Sequence, residues 1–376
     1  MVSRADCSIL IAGAGPVGLA LALELARRGI KPRIVAETDG PVAENESRAL
    51  GVNARTLMLL GPSGAASDIS AQALPIEGLK LSSLGAPLLT VNTAGFRGPG
   101  PALSILPQGA TERLLLERLR ALEVEPEWHT RVNRIDGTPD APEVTLVRND
   151  DSGETVRPTM LVGADGAHST VRKACGFAFP GDALDNEFFL ADYAYDAPVD
   201  VRHARVEFFN PGVLACIPVR ANVLRYISTM GDFEDRIVHP RPNAELTWRS
   251  KFTVSFRHVE TMSVGRVFLA GDAAHIHSPI GARGMNLGIE DACWLAWLIS
   301  EGREAEYSKL RLPAVRGVLR QTRMLTAMAT MDRPASLALR DRILPLMAHL
   351  RFAERALVRS IAGMDTPNPP WLSVAS

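Results

Sequence analysis

The sequence predicts an α/β fold in which a doubly wound parallel-sheet unit is joined to a mostly antiparallel sheet and a helical C-terminal region. Three observations predict it. Residues 8–37, "SILIAGAGPVGLALALELARRGIKPRIVAE", read as strand, glycine-rich turn, helix and strand. Residues 201–230 give short alternating segments, "RHARVEFFN", "VLACIPV" and "NVLRYISTM", broken by Asn210-Pro211-Gly212. Beyond residue 303 the pattern becomes helical.

The chain has 376 residues, enough for two or three domains or one large interleaved one. It is 46% hydrophobic and 22% charged, an ordinary balance for a globular protein. A net charge of −1 offers no general attraction to nucleic acid or to an anionic membrane. The cysteines at 7, 175, 216 and 293 are far apart and form no CxxC pair. That spacing argues against zinc and against a disulfide framework, and fits a reducing cytosol. The apolar run from Ser8 to Leu25 is interrupted by glycines and is too short to span a bilayer. A soluble, cytoplasmic protein is therefore expected, as a monomer or homodimer.

The N-terminal unit is legible element by element. Ser8 to Ala12 suits a strand buried on both faces, and Leu19 to Arg28 is a run of good helix formers stopped by Gly29. Gly13, Gly15 and Gly18 lie between them at GxGxxG spacing, with Pro16 among them. The first glycine permits the tight turn, the second lets a pyrophosphate approach the backbone, and the third allows close helix–strand packing. The helix N-terminus offers unpaired N–H groups to phosphate. Glu37 ends the next strand, about twenty residues on, and is placed to accept from a ribose hydroxyl. A carboxylate there disfavours a 2′-phosphate, so the unit is expected to hold FAD or NAD. No second copy of the pattern exists.

Two later stretches complete the set. "LVGADGAHSTVRKACG" (161–176) reads as a strand ending in Asp165-Gly166 and then a helix from Ser169 to Cys175. "GRVFLAGDAAHIHSPIGARGMNLGIEDA" (265–292) starts with a strand, Val267 to Ala270, that delivers Gly271 and Asp272. Asp272, His275 and His277 invite a metal reading, but their spacing and the lack of further ligands argue against it, and no metal is expected. Together with GxGxxG, these stretches resemble the three signatures of the single-component FAD-dependent aromatic hydroxylases, the family that includes p-hydroxybenzoate hydroxylase. "ENESRAL" (44–50), "LPQGATERLLLERL" (106–119), Tyr307, Arg311 and Pro313 support the resemblance.

The resemblance implies an interleaved architecture. An FAD-binding domain would comprise 1–72, 100–180 and 259–300, a substrate-binding β-sheet domain 73–99 and 181–258, and a helical region 301–376. No thioredoxin-like extra domain is expected after Ser376. Site roles also follow from the resemblance. Gly13, Gly15, Pro16, Gly18, Glu37, Arg48, Gln108, Asp165, Gly271 and Asp272 would contact FAD, Asp272 through a ribityl hydroxyl. Asp165 equally fits a cap of the helix after Ser169. Pro279 would stand beside the flavin ring. Gly281, Gly284, Met285 and Asn286 would bring N–H groups to its pyrimidine edge, and the helix that starts there would favour negative charge on reduced flavin. His275 would be scaffold. Arg283 departs from the usual Gly-Gly-Gln-Gly pattern and is expected to face solvent or to add positive charge near the flavin.

Arg205, Phe208, Arg220 and Tyr226 are candidates for substrate contact, and Arg225, with Pro279, for a part in catalysis. Arg225-Tyr226 matches part of an Arg-Tyr-Tyr run of hydroxybenzoate enzymes, but Ile227 replaces the second tyrosine, which counts against a hydroxybenzoate substrate. The implied activity is that of an FAD-dependent monooxygenase. NADH or NADPH would reduce the flavin, and O₂ would supply one oxygen atom, via a flavin C4a-hydroperoxide, to an aromatic or polyketide-like, polycyclic small molecule. Epoxidation, Baeyer–Villiger insertion, oxidative decarboxylation and a non-catalytic ligand-binding role are the alternatives. Residues 342–364, "RILPLMAHLRFAERALVRSIAGM", are basic and amphipathic, but packing on the FAD domain is the commoner use of such a stretch, and membrane association is not expected.

Overall fold

Four apolar residues, Ile9–Ala12, form a strand buried along its whole length inside a five-stranded sheet. The strand order is Ser263–Val264, Val267–Leu269, Met160–Gly163, Ile9–Ala12, Arg33–Val35, and the last four run parallel. Burial on both faces explains why these strands are continuous apolar runs. The computed structural model describes residues 4–5, 7–43, 49–237, 244–348 and 350–372.

Among the described residues, the helices in chain order are α1 (Pro16–Ala26), α2 (Ala54–Leu60), α3 (Ala65–Gln72), α4 (Gln108–Arg120), α5 (Thr170–Ala174) and α6 (Gly284–Ser300), then α7 (Tyr307–Ala329), α8 (Pro334–Ala348) and α9 (Arg351–Ile361). The main core lies where α1, α4, α6 and α7 pack around the five-stranded sheet. α1 and α6 can approach closely because glycines line the contact: a Cβ on Gly288 of α6 would come within 2.6 Å of the Val17 side chain.

A second, mostly antiparallel sheet has eight strands, ordered His275–Ile276, Glu245–His258, Gly181–Ala194, Val223–Ser228, Val213–Arg220, His203–Phe208, Gly78–Ser83 and Ala86–Asn92. The alternating segments read from 201–230 are three of these strands. Only the pairing of His203–Phe208 with Gly78–Ser83 is parallel. Its first strand continues directly from the Gly271–Ala273 turn, so the two sheets meet at the third sequence signature.

A buried charge network fixes α6. Arg311 of α7 donates from Nε to Asp291 Oδ1 and from Nη1 to Glu290 Oε1, both at 2.8 Å. The other oxygen of Asp291 meets His275 Nε2 at 2.6 Å, and Tyr307 donates to the Leu269 carbonyl at 3.0 Å. Arg311, Asp291 and His275 are all almost wholly enclosed. Burial alone would raise the Asp291 pKa; His275 and Arg311 outweigh it and hold the carboxyl below its usual range.

Arg311→Met strands two carboxylates in the core and should cost about 3–5 kcal/mol, read as a lowered urea-unfolding midpoint at neutral pH. The pH dependence has a defined sign. Because the folded-state pKa of Asp291 is depressed, its stabilisation is present above the unfolded value, about 3.9, and disappears as the pH falls through the folded value. The difference between wild type and Arg311→Met should therefore shrink in strong acid. A midpoint unaffected by the substitution at neutral pH would show that the network is dispensable.

Candidate active site

The glycine-rich turn, the carboxyl ends of the parallel strands and one face of the eight-stranded sheet open into a single cleft of about 2400 Å³. A pocket for one small ligand usually measures roughly 300–1,000 Å³. The cleft is thus large enough for a dinucleotide and a second molecule together.

At one end the backbone is drawn tight. A Cβ on Gly18 would fall 1.9 Å from the Gly13 carbonyl oxygen, so only glycine fits there. Gly15 precedes α1 without a side-chain cap, and Pro16 occupies the first turn, where a missing N–H costs nothing. Gly13, Gly15, Pro16 and Glu37 line the cleft; Gly18 lies behind it as packing. Glu37 is exposed at the end of the Arg33–Val35 strand. Gln108, the first residue of α4, also lines the cleft and donates to Glu112 at 2.9 Å. Arg48 lies outside the described residues.

Asp272 is exposed to the cleft, and among the described residues it makes no hydrogen bond or ion pair. Burial raises its pKa, partly countered by His275. A carboxylate placed this way has unused acceptor capacity aimed at whatever fills the cleft. Gly271 beside it has φ +60° and packs on Val17, where a Cβ would approach within 2.8 Å. It does not itself line the cleft. Farther on, Pro279, Gly281, Gly284 and Met285 all face the cleft, and no side chain caps the N-terminus of α6 there. Seventeen residues of helix therefore direct unpaired N–H groups and a positive dipole end into the space.

The Arg283 expectation needs correction, and the surroundings of Asn286 and Asp165 are now defined. Asn286, expected to offer its backbone N–H, does not line the cleft, and its side chain is engaged elsewhere. It accepts from the Asn53 amide (2.9 Å) and the Thr56 hydroxyl (2.7 Å), and donates to the Gly51 (2.8 Å) and Ala282 (2.7 Å) carbonyls. Those bonds clasp the Pro279–Arg283 loop to the strand Gly51–Asn53. Arg283 neither faces solvent nor lines the cleft. It is buried and donates from Nη1 to the Ser360 carbonyl at 2.6 Å, and its Nη2 pairs with Asp365 at 2.8 Å. It ties the loop to the last turn of α9 and to the segment after it. Asp165 lines the cleft, but its oxygens accept from Ser169 and from the Thr170 (2.7 Å) and Val171 (3.1 Å) amides, the geometry of a helix cap.

The substrate candidates divide between the cleft and other surroundings, the adjacent pair Arg225 and Tyr226 by the two-residue period of their strand. Arg225 points into the cleft, fully buried, with two 2.7 Å bonds to Asp192 and its guanidinium 4.8 Å from the Trp248 ring centre. Its neighbour Tyr226 points to the opposite face, where its hydroxyl lies 2.9 Å from that of Tyr195, and it does not line the cleft. Arg220 is exposed and also away from the cleft. Arg205 and Phe208 do line it, Arg205 bonded to Asp200 at 2.9 Å.

Glu112 and His277 line the cleft, a place the sequence reading did not give them. Glu112, one turn after Gln108, accepts from the Val42 amide at 2.7 Å, and burial raises its pKa; the i, i+4 spacing from Gln108 was its only signal. His277 also lines the cleft. Its Nδ1 donates to the Ser278 carbonyl at 2.8 Å, and burial lowers its pKa to about 4, so the ring is a neutral imidazole. Among the described residues no three His, Cys, Asp or Glu side chains cluster as metal ligands.

The FAD-binding domain family matches residues 6–236 and 228–321. The chain belongs to the FAD-dependent aromatic hydroxylases. It is 35% identical over 351 residues to the 6-methylpretetramide 4-monooxygenase of Streptomyces rimosus, a match covering 86% of this chain and 62% of that protein. It is 32% identical to the 12-dehydrotetracycline 5-monooxygenase/anhydrotetracycline 6-monooxygenase of Streptomyces rimosus subsp. rimosus, over 96% of this chain and 77% of that one. The solved anhydrotetracycline hydroxylase of Streptomyces rimosus superposes with a TM-score of 0.80 at 30% identity, covering 97% of this chain and 77% of the other. The chain thus spans 62% to 77% of the length of these relatives.

The site fits FAD on structural grounds. A Cβ at Gly13 or Gly18 would strike backbone oxygen at 2.3 or 1.9 Å, Asp272 has acceptors to spare, and the first turn of α6 is bare. Asp272→Ala should weaken FAD binding on the order of 10- to 100-fold, the range for losing a hydrogen bond to a charged acceptor. The measurement is fluorescence titration of deflavinated protein. Unchanged affinity would remove Asp272 from the site.

Proposed function

We propose that this aromatic hydroxylase introduces one oxygen atom from O₂ into a polycyclic, polyketide-like substrate, with NADH or NADPH as electron donor. The observation that carries the substrate class is the lining of the cleft beyond the flavin end. Phe188, Phe208, Ile227, Phe252, Met328 and Leu344 give it a broad apolar wall. Of the cations on that wall, Arg205 and Arg225 are each already bonded to an aspartate, Lys251 is bonded to Glu187, and Arg257 donates to the Phe179 carbonyl. A carboxylate substrate would have to compete with those pairs, whereas a neutral fused-ring molecule would not.

Bound FAD would supply the redox and oxygen chemistry; the chain's task is to hold, orient and keep dry. The Gly13–Gly18 turn and the α1 N-terminus would take the pyrophosphate, with Glu37 accepting from the adenosine ribose and Asp272 from the ribityl chain. Gly284 and Met285 would offer amides, and the α6 dipole would favour negative charge on the reduced ring. Pro279, which has no N–H, would stiffen the wall beside the ring. His277 would present only a neutral edge, and Glu112 would orient Gln108. The Asp165 cap would act through the position of α5. The boundaries 1–72, 100–180 and 259–300 against 73–99 and 181–258 remain part of this proposal, as does a cytoplasmic location. No described helix is long and apolar enough to cross a membrane.

Two outcomes are expected. Purified protein should carry flavin absorbance near ~450 nm and should oxidise NADPH faster when polycyclic phenols are added, giving a product one oxygen atom heavier. Hydride consumption that no member of such a panel stimulates would favour a non-catalytic flavoprotein. Arg225→Ala should behave as a stability variant, costing about 3–5 kcal/mol because Asp192 is left buried and unpaired. A selective rise in KM for acidic substrates, with stability unchanged, would instead make Arg225 a carboxylate clamp.

A further inference from the structure

The exposed apolar surface of this chain is not scattered. Of the nine large hydrophobic side chains exposed among the described residues, five lie between positions 339 and 352: Leu339, Ile343, Leu346, Leu350 and Phe352. On α8, Leu339, Arg342, Ile343 and Leu346 follow i, i+3, i+4, i+7 spacing and are all exposed, so they form one stripe facing outward. The opposite face of the helix is anchored. Leu337, Arg340 and Leu344 are buried, and the Arg340 guanidinium stacks 4.1 Å over Phe208 while its Nε bonds Asp341 at 2.8 Å. The outward stripe is therefore not a misplaced core face; the helix already has its core face.

The charge around the stripe is one-sided. Pro334 to Ile361 contains five arginines and two acidic residues, Asp341 and Glu354, and Asp341 is already paired with Arg340. This local excess is positive although the whole chain carries −1. Arg342 lies within the stripe, and Arg355 and Arg359 are exposed on α9 beyond it. The exposed apolar surface also reaches the cleft. Phe352, 72% exposed, lines it, as does exposed Met324 of α7.

We propose that the α8–α9 face docks on an anionic lipid surface, lying in the interface with Leu339, Ile343, Leu346, Leu350 and Phe352 among the acyl chains and Arg342 and Arg355 at the headgroups. Aliphatic side chains flanked by arginine suit that boundary, and no described helix is long and apolar enough to span a bilayer instead. A second copy of the chain is the poorer occupant, because a two-fold interface would bring this basic face against itself. The geometry places the cleft mouth at the membrane, so an apolar substrate dissolved in lipid could enter without crossing water.

The test is co-sedimentation of the intact, flavin-loaded protein with vesicles, and it does not depend on the proposed reaction. Binding is expected to phosphatidylcholine vesicles containing phosphatidylglycerol, and to fall when salt is raised. Leu339→Gln/Ile343→Gln/Leu346→Gln should lower partitioning at least about 100-fold. Arg342→Gln/Arg355→Gln should lower it roughly 5-fold per arginine. Both variants should keep wild-type flavin content, which shows that they fold, since Leu339, Arg342, Ile343, Leu346 and Arg355 are exposed and none of them lines the cleft. Absence of binding to the anionic vesicles overturns the proposal. So does a dimer in solution that the triple glutamine variant converts to monomer, because the face would then be covered by a second copy.

Discussion

Arg311 is the residue on which the site most depends, although it touches no part of the cleft. It sits on α7, fully enclosed, and holds Glu290 and Asp291 of α6; Asp291 then holds His275. One cation thereby ties together α7, α6 and the first strand of the eight-stranded sheet. Buried ion networks seldom add much net stability, because desolvation offsets their attraction, but an incomplete one is severely unfavourable. The network therefore selects a single arrangement. In that arrangement the bare N-terminus of α6 faces the cleft beside Asp272.

The same end of α6 is secured from two further directions. Asn286 bonds to the backbone of the strand Gly51–Asn53 and to Ala282, while Arg283 reaches Ser360 in the last turn of α9 and Asp365 beyond it. The loop between Pro279 and Arg283 is thus bounded by segments far apart in sequence, one near the start of the chain and one near residue 360. A loop proposed to offer backbone N–H groups to a flavin has to be held rigidly by something else, and these two polar side chains do it. From the sequence, Asn286 was expected to offer its backbone N–H to the flavin and Arg283 to face solvent or to add positive charge there; neither reading gave the side chain its partners. Position in a motif locates the backbone; it does not say which way a side chain points.

The substrate wall shows the same limit. Arg225 and Tyr226 are adjacent, so a strand must send them to opposite faces, and only one could ever have reached the cleft. Reading them as a pair was the error. Their partners, Asp192 and Tyr195, lie on a neighbouring segment some thirty residues earlier, brought alongside by antiparallel pairing. Nothing in the local sequence announces that Arg225 is neutralised, and neutralisation is what shifts the proposed substrate from an acid to an apolar ring system.

By itself, the sequence determined the glycine-rich turn, the strand and helix around it, the three ordered signatures and the alternating strands of 201–230. Those features depend on neighbours within a few residues: periodicity, glycine's lack of a Cβ, and caps. It also located Gly13, Gly15, Pro16, Glu37, Gln108, Asp272, Pro279, Gly281, Gly284 and Met285 on what the fold makes one continuous cleft. Only the tertiary structure decided the partners of the long polar side chains, Arg225, Arg283, Asn286 and Arg311. Each spans several ångströms and pairs with residues distant in the chain, so its direction is set by the packing of whole elements. Whether α8 spends its outer face on the core was decided there too, since an amphipathic pattern states that two faces differ and leaves open what meets each one.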